Sequence, residues 1–305
     1  MSEFLLTTNA LTKQYGHQKA VNQVNVHVEK GAIYGFIGRN GAGKTTFLKM
    51  ISGLAKQTSG DIEMFGYKNK DLKYVRSRIG CLIEAPGLYG NMSAYDNLSL
   101  KCKLFGITDR KYVENILKTV GLENVGNKSV KHFSLGMKQR LGIGMALVGE
   151  PDLLVLDEVI NGLDPQGIVE IREMIIRLNQ EKNITIIISS HILEELSKIA
   201  THYGIIHQGT LLQELTREEL MKRCSERIEI TCDEVQHILP VLDRMKFRNY
   251  QVVDKNTIHI YERLNESAEI NMELAKEGIP IRSISITSEK LENYFLNLTG
   301  GAVNG

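Results

Sequence analysis

The chain has 305 residues, which at roughly 150 residues per domain predicts about two domains. With 42% hydrophobic and 24% charged residues it has the composition of a globular protein, which excludes a disordered or fibrous chain. Its net charge of +1 argues against a nucleic-acid partner, because dedicated nucleic-acid binders usually carry a basic excess.

Nothing in the sequence indicates a membrane-embedded or secreted protein. No stretch approaches the ~20 consecutive apolar residues that span a bilayer. The first residues lack the basic and apolar regions of a signal peptide. The four cysteines form no paired motif, which indicates free thiols in a reducing compartment. We therefore expect a cytoplasmic protein.

The first predicted elements are short strands around a glycine-rich turn. Residues 24–28 alternate with period two, which is typical of a half-buried strand. An apolar run at 32–37 leads into the turn, and residues 45–51 then have the spacing of a helix. Two more short strands are predicted at 61–65 and 79–83.

The middle of the chain changes from helices to buried strands. Residues 93–149 show helical spacing interrupted by glycines. Apolar runs at 153–156 and 184–188 are typical of strands buried on both faces of a parallel sheet. A helix at 165–181, with proline in its first turn, separates them. This strand–helix–strand order predicts an α/β fold.

A second, smaller domain is predicted to begin after residue 223. Its strands and helices follow the order βαββαβ, which is that of a ferredoxin-like α+β domain. The strands are predicted at 227–231, 250–253, 257–261 and 281–286, and the helices at 234–245, 266–277 and 288–298. We therefore divide the chain into a first domain, 1–223, and a C-terminal accessory domain, 224–305.

The apolar run at 32–37 is followed by a motif for phosphate binding. The motif GxxxxGK(S/T) is matched by Gly38, Arg39, Asn40, Gly41, Ala42, Gly43, Lys44 and Thr45. Its glycines let successive N–H groups point at phosphate oxygens, and the following helix adds its positive N-terminal end. Lys44 is expected to reach the β- and γ-phosphates, and the hydroxyl of Thr45 to ligate Mg²⁺ beside Thr46. The sequence thus predicts a P-loop for ATP and Mg²⁺.

Two acidic residues follow the apolar run at 153–156. Asp157 is expected to hold Mg²⁺ through water, and Glu158 to orient or deprotonate the attacking water as a general base. Two acids at the end of a strand are common in any protein, so this pair alone is weak evidence. The upstream P-loop makes the catalytic interpretation strong.

Three further motifs accompany the P-loop and the acidic pair. They are the segment 134–140 (SLGMKQR), the segment 162–165 (GLDP) and His191 after two serines. In this order and spacing they resemble the signature motif, the D-loop and the switch histidine of the ATP-binding-cassette (ABC) ATPases. The resemblance covers residues 4–223. It implies a P-loop ABC ATPase core with a RecA-like sheet, an antiparallel β subdomain and a helical subdomain at about 90–150.

The resemblance also implies roles for residues outside the P-loop. Ser134 and Gly136 would contact the γ-phosphate of a nucleotide held by another subunit, and Asp164 would couple the two sites. His191 would hydrogen-bond the γ-phosphate, and Tyr15 resembles the aromatic residue that stacks on adenine. Because the chain has one P-loop and one signature motif, it would pair with a second ATPase chain, which we expect to be an identical copy.

Two departures from the usual family pattern point to one branch. Glu84 stands where the family usually has glutamine, and it can still ligate Mg²⁺. The signature motif reads Phe-Ser-Leu-Gly-Met instead of Leu-Ser-Gly-Gly-Gln. Both resemble the bacitracin-resistance and lantibiotic-immunity branch of bacterial ABC transporters. That branch implies an ATPase at the inner face of the cell membrane, where it powers export of a peptide antibiotic through a separate integral membrane permease.

Two alternatives stay open at this level. Val159 and Ile160 follow Glu158 where the family commonly has Pro-Thr, and the replacement is either neutral, which we favour, or loosens the base and slows turnover. The competing function is a soluble ABC-type ATPase that acts as a regulatory switch without a permease. Such proteins generally carry two cassettes on one chain, and the near-zero net charge disfavours ribosomal RNA as a partner.

Overall fold

The computed structural model describes residues 4–288 and 291–299. By its internal contacts the chain divides into two compact units, Met1–Arg217 and Glu218–Gly305. Each unit has its own core of buried apolar side chains. The domain division at residue 223 stays a prediction.

The first unit contains both strands and helices. The strands are β1 (Phe4–Tyr15), β2 (Gln18–Val24), β3 (His27–Glu29), β4 (Ile33–Ile37), β5 (Ser59–Met64), β6 (Tyr67–Lys68), β7 (Ile79–Leu82), β8 (Leu153–Asp157), β9 (Thr185–Ser190), β10 (His202–His207) and β11 (Thr210–Thr216). The helices are α1 (Lys44–Ile51), α2 (Ala94–Leu104), α3 (Arg110–Thr119), α4 (Leu135–Ala146), α5 (Pro165–Lys182) and α6 (Leu193–Ser197). The predictions for β4, β5, β7, β8, β9, α1 and α5 are confirmed.

A six-stranded sheet forms the centre of the first unit, in the order β11-β10-β4-β9-β8-β7. Strands β10, β4, β9, β8 and β7 run parallel, and β11 is antiparallel to β10. Every residue of β4, β8 and β9 is buried, which explains why their sequences are mainly apolar. The carboxyl ends of parallel strands share one edge of a sheet, so the turns after β4, β8 and β9 lie side by side.

A second sheet, in the order β2-β1-β5-β6 with β3 also paired to β1, is antiparallel and confirms the predicted β subdomain. The single strand predicted at 24–28 is wrong, because the chain leaves the ladder between β2 and β3. There the Oδ1 of Asn25 accepts a bond from the N–H of Ala10, and the N–H of Val26 donates to the Oγ1 of Thr8. The N–H of Thr8 still donates to the carbonyl oxygen of Val26 at 2.9 Å, so the bonds to side chains interrupt the backbone ladder and do not replace it.

Helices α2, α3 and α4 lie within the predicted helical subdomain at 90–150 and confirm its helical character. Gly106 and Gly121 follow α2 and α3 with positive φ, as expected for helix ends. Ser93 and Asp96 form a capping box at the start of α2, in which each side chain accepts the backbone N–H of the other residue. In the described ranges, no helix combines the length and apolar character that crossing a membrane requires.

The second unit contains a four-stranded antiparallel sheet. Its elements, which follow α7 (Arg217–Cys224), are β12 (Arg227–Cys232), α8 (Leu239–Arg244), β13 (Tyr250–Val252), β14 (Thr257–Ile260), α9 (Ser267–Lys276), β15 (Ile281–Thr287) and α10 (Leu291–Leu298). The spatial order β13-β14-β12-β15 and the chain order βαββαβ together make a ferredoxin-like fold. The fold predicted for this part of the chain is confirmed.

Two helices of the second unit differ from the prediction. The helix predicted at 234–245 is wrong in its first part, where Val235–His237 form a 3-10 turn before α8. Pro240 lies in the first turn of α8, the place where a residue without an N–H fits a helix. The helix predicted from residue 288 onwards appears as α10, and residues 289–290 lie outside the described part of the chain.

Candidate active site

One cavity of ≈ 610 Å³ opens where β4, β8 and β9 end. Its wall contains most of the P-loop and three residues that follow β8 and β9. The lining residues are Gln18, Lys19, Ala20, Asn40, Gly41, Ala42, Gly43, Lys44, Thr45, Thr46, Glu158, Asn161, His191, Gln208 and Gly209. The structure therefore brings the predicted P-loop, the predicted base and the predicted switch histidine together.

Backbone contacts determine the shape of the P-loop. A Cβ on Gly43, whose φ is 108°, would lie 2.3 Å from the carbonyl oxygen of Ala20, and a Cβ on Gly38 would lie 2.6 Å from that of Ile206. Gly43 is also the N-cap of α1, and no described side chain caps the helix there. The N–H groups of the first turn can therefore bind an anion, so the loop fits a nucleotide phosphate.

Lys44 is a buried cation, only 5% exposed, held inside the loop. Its Nζ donates to the carbonyl oxygen of Gly38 at 2.7 Å and to that of Arg39 at 3.3 Å. Its ionic partner is Glu158, whose Oε1 lies 2.9 Å away. The carboxylate of Glu158 thus occupies a position beside Nζ of Lys44 in which a phosphate oxygen could also accept its hydrogen bond.

Thr45, at the start of α1, and Asp157, at the end of β8, bring two oxygen atoms together that could ligate a metal ion. The hydroxyl of Thr45 donates to Oδ2 of Asp157 at 2.7 Å, and the hydroxyl of Ser189 donates to Oδ1 at 2.5 Å. Oxygen ligands of this kind suit Mg²⁺, which usually keeps waters and nucleotide oxygens as further ligands. Within the described residues, no group of three or more His, Cys, Asp or Glu could hold a metal alone. The oxygens of Thr45 and Asp157 therefore fit a magnesium site whose other ligands are waters and nucleotide oxygens.

Glu158 lies in a left-handed turn, with φ of 52°, directly after β8. Its Oε2 lies 3.0 Å from Nδ1 of His191 and contacts the side-chain amide of Asn161. Burial raises the pKa of Glu158, yet the hydrogen bond and charge of Lys44, together with His191 and Asn161, outweigh burial and hold this pKa below its usual range. The carboxylate is therefore ionised at neutral pH and can accept a proton.

Tyr15 and Glu84, which are predicted to contact the nucleotide or its magnesium ion, are not among the described residues that line this cavity. Tyr15 is 53% exposed at the end of β1, with the Nζ of Lys13 4.9 Å from its ring centre. Glu84 bonds to the Nζ of Lys49 at 2.6 Å, so its carboxylate is engaged on α1 and does not pair with Thr45. The role of Glu84 as a magnesium ligand stays a prediction.

The signature and D-loop residues serve as helix caps. The Oγ of Ser134 accepts the N–H of Met137 at the start of α4, and the Oδ1 of Asp164 accepts the N–H of Gly167 at the start of α5. In the described part of the chain, neither residue lines the cavity, and Gly136 does not either. Their contacts with a nucleotide stay a prediction.

Asn161 lines the cavity although no sequence motif contains it. It stands between the acidic pair and the D-loop, and its one signal is a polar amide directly after the apolar residues Val159 and Ile160. The start of β2, residues 18–20, and the turn at 208–209 also reach the cavity without a motif. The N–H of Gly209 donates to the carbonyl oxygen of Ala42 at 2.8 Å, and the N–H of Asn22 in β2 donates to the carbonyl oxygen of Gly209 at 2.7 Å, so the turn and β2 lie beside the P-loop.

The sequence matches the ABC transporter family over residues 21–161. The bacitracin transport ATP-binding protein BcrA of Bacillus licheniformis is 44% identical to it, in an alignment that covers 100% of both chains. The chain belongs to the ATP-binding subunits of ABC transporters. The lantibiotic transport ATP-binding protein SrtF of Streptococcus pyogenes is also 44% identical to this ABC ATPase, over 69% of the chain and 90% of SrtF. The expected family and its ATPase activity are confirmed.

Solved ABC cassettes share the fold of this ABC ATPase. CbiO1 of Clostridium perfringens, part of the transporter complex CbiONQ, matches 80% of the chain and 96% of its own length, with TM-score 0.65 and 27% identity. A dimeric post-hydrolysis structure of the cassette MJ0796, bound to ADP and Pi, matches 70% of the chain and 98% of its own length, with TM-score 0.63 and 23% identity. The predicted P-loop ABC ATPase core is therefore confirmed, with ATP as its nucleotide.

Proposed function

We propose that this ABC ATPase hydrolyses MgATP to power the export of a peptide antibiotic through a separate membrane permease. The observation that carries the catalytic part is the single cavity that holds Lys44, Thr45, Glu158 and His191. The antibiotic part rests on BcrA and SrtF, whose names assign bacitracin transport and lantibiotic transport to those proteins. The substrate class is therefore proposed by similarity, and the chemistry by geometry.

One part of the proposed nucleotide site lies inside a single chain. The uncapped N-terminus of α1 binds the phosphates, and Lys44 exchanges the carboxylate of Glu158 for a phosphate oxygen. Thr45 and Asp157 would hold the magnesium ion, which when bound neutralises charge on the phosphates. Tyr15 lies exposed at the end of β1, which suits a residue that stacks on the base.

Glu158 acts as the general base in this proposal. Its carboxylate is ionised in the cavity, so it can take the proton of the attacking water, a role worth about 10²–10⁴ in rate. His191, whose Nδ1 faces Glu158, is left with Nε2 for the γ-phosphate. The two residues stand at the ends of β8 and β9, which are neighbours in the sheet.

A second copy of the chain completes each site in this proposal. Ser134, Gly136 and Asp164 do not line the cavity formed by their own chain, as far as the structure describes it. Leu135, directly after Ser134, is 48% exposed although it is apolar. We infer that this face of α4 contacts the nucleotide of the partner copy. The dimer would bind its permease at the inner face of the membrane, through the segment 84–89 and the helical subdomain that contains α2, α3 and α4.

The proposal is tested by isolating the chain from its native membranes in mild detergent. We expect a polytopic membrane protein to be isolated with it, and we expect cells without the chain to become more sensitive to bacitracin or to a lantibiotic. A variant with Glu158→Gln should retain the partner without restoring resistance. A chain found only with ribosomes or with a regulator, in cells of unchanged sensitivity, would contradict the proposal and favour the soluble regulatory switch.

A further inference from the structure

We propose that Asn161 is a positioning residue that holds one oxygen of Glu158, so that the other oxygen alone acts as the base. This inference rests on the proposed function, in which Glu158 takes the proton from water. The Nδ2 of Asn161 contacts Oε2 of Glu158 and lies 3.2 Å from Nδ1 of His191. That Nδ1 lies 3.0 Å from the same Oε2. Two neighbouring side chains therefore converge on one carboxylate oxygen.

The second carboxylate oxygen has a different kind of partner. Oε1 of Glu158 lies 2.9 Å from the Nζ of Lys44, which is bound to the P-loop through the carbonyl oxygen of Gly38. When Lys44 turns to a phosphate, Oε1 loses its cation and its lone pairs become free to accept a proton. Oε2 keeps its bonds to Asn161 and His191. Oε2 therefore holds the carboxylate in position, and Oε1 accepts the proton.

The backbone joins Asn161 to Glu158 in one turn. The N–H of Asn161 donates to the carbonyl oxygen of Glu158 at 3.2 Å, and the N–H of Glu158 donates to the Oγ of Ser189 at 3.1 Å. Val159 and Ile160, inside the turn, are 0% and 3% exposed. Their burial anchors the turn without the proline that the family commonly has there. The amide of Asn161 then sets the direction of the carboxylate.

The amide of Asn161 is poorly suited to a purely structural role. Its Oδ1 is buried, and no described residue donates to it. Turning the amide over would bring Oδ1 against the carboxylate of Glu158, so the donor must face the base. An unsatisfied buried carbonyl lowers stability, and such a cost is usually retained where it serves a function.

Asn179 offers a matched control in the same unit. Its Nδ2 donates to the carbonyl oxygens of Gly31 at 2.8 Å and Ile184 at 2.9 Å, outside the cavity wall. Both of its acceptors are backbone atoms, so its role is to join α5 to neighbouring loops. Asn161→Ala and Asn179→Ala should therefore have opposite effects in the full-length chain.

The experiment measures three quantities for each variant: kcat and KM for ATP, the dissociation constant for ATP, and the thermal midpoint of the nucleotide-free protein. For Asn161→Ala we expect kcat to fall roughly 10- to 100-fold with KM and ATP affinity unchanged, because a misdirected base costs about that much. Its thermal midpoint should be unchanged or higher. For Asn179→Ala we expect a lower midpoint and an unchanged kcat.

A double substitution tests whether Asn161 acts through Glu158. In a Glu158→Gln background, Asn161→Ala should lower the residual kcat no further, because the base it positions is already gone. Full turnover of Asn161→Ala beside an inactive Glu158→Gln would overturn this inference alone. A further multiplicative loss in the double variant would overturn it as well. Full turnover of Glu158→Gln would contradict the proposed function and this inference together.

Discussion

The P-loop face and the signature face of the first unit differ in where their partners lie. On the P-loop face, Lys44 contacts Glu158 and Thr45 contacts Asp157, so each motif residue meets an acid of the same chain. On the signature face, Ser134 and Asp164 bond only to the backbone of the helices that they begin, among the contacts of the described residues. In the proposed function, metal binding and proton transfer therefore use groups of one chain, and the signature face is left to contact a second copy.

The largest expected effect is on the P-loop face. Glu158→Gln removes the base but keeps the shape and the hydrogen-bonding capacity of the side chain, so kcat should fall on the order of 100-fold or more. ATP binding, measured by titration calorimetry, should persist. Glu181→Gln, an exposed position at the end of α5, is the control and should retain turnover. Undiminished hydrolysis by Glu158→Gln would show that Glu158 is not the general base.

Lys44→Ala removes the cation that both the carboxylate and a phosphate can use. ATP affinity should fall about 10-fold or more, since a hydrogen bond to a charged group contributes about 1.5–3 kcal/mol. The nucleotide-free protein should also unfold at a lower temperature, because Glu158 is left without its cation. Lys118→Ala, in the last turn of α3, should change neither quantity. Unaltered ATP affinity of Lys44→Ala would argue against the P-loop assignment.

The signature face is tested by adding a charge to it. Chains with Glu158→Gln should dimerise in ATP, and adding Ser134→Glu should raise the dimer dissociation constant about tenfold or more, because it brings a carboxylate to the partner's phosphates. Analytical ultracentrifugation measures the dimer, and each monomer should still bind ATP. Ser59→Glu, an exposed position in β5, is the control. Dimers that tolerate Ser134→Glu would show that this face does not meet a second copy.

The smallest expected effect concerns Glu84, which has a partner in its own chain and is also predicted to bind magnesium. Its pairing with Lys49 competes with the proposed magnesium contact. Because an exposed ion pair contributes at most about 1 kcal/mol, Lys49→Ala should lower the Mg²⁺ concentration for half-maximal turnover by up to about fivefold. Glu84→Ala should raise that concentration. A magnesium titration that is the same for both variants would exclude Glu84 as a ligand.

Much of the site could be predicted because residues that follow the strands of a parallel sheet lie along the same edge of that sheet. Lys44, Glu158 and His191 each follow a buried strand, and adjacent parallel strands end at one edge, so their meeting follows from the pattern. In the second unit, β12 and β14 alternate between buried and half-buried residues, which is the pattern by which a strand is predicted.

Other features depend on contacts that no local pattern records. β1 has irregular pairing and a positive φ at Ala10, which breaks the alternation by which a strand is recognised. Glu84 and Lys49 are 35 positions apart and meet only in the folded chain. Asn161 has no motif of its own, and it becomes part of the site because a left-handed turn at Glu158 brings its amide back to the carboxylate.

Ser189 connects Glu158 and Asp157 through two hydrogen bonds, one that it accepts and one that it donates. Its Oγ accepts the N–H of Glu158 and donates its own hydrogen to Asp157, so the two bonds point the same way and each polarises the other. The hydroxyl hydrogen has no freedom to rotate without breaking the bond to Asp157. In the proposed function Lys44 exchanges the carboxylate of Glu158 for a phosphate. The carboxylate of Asp157 would keep its bond to Ser189 during that exchange. The hydroxyl of Ser189 in β9 therefore lies between Glu158, whose partner would change when a phosphate binds, and Asp157, whose bond to Ser189 would stay in place.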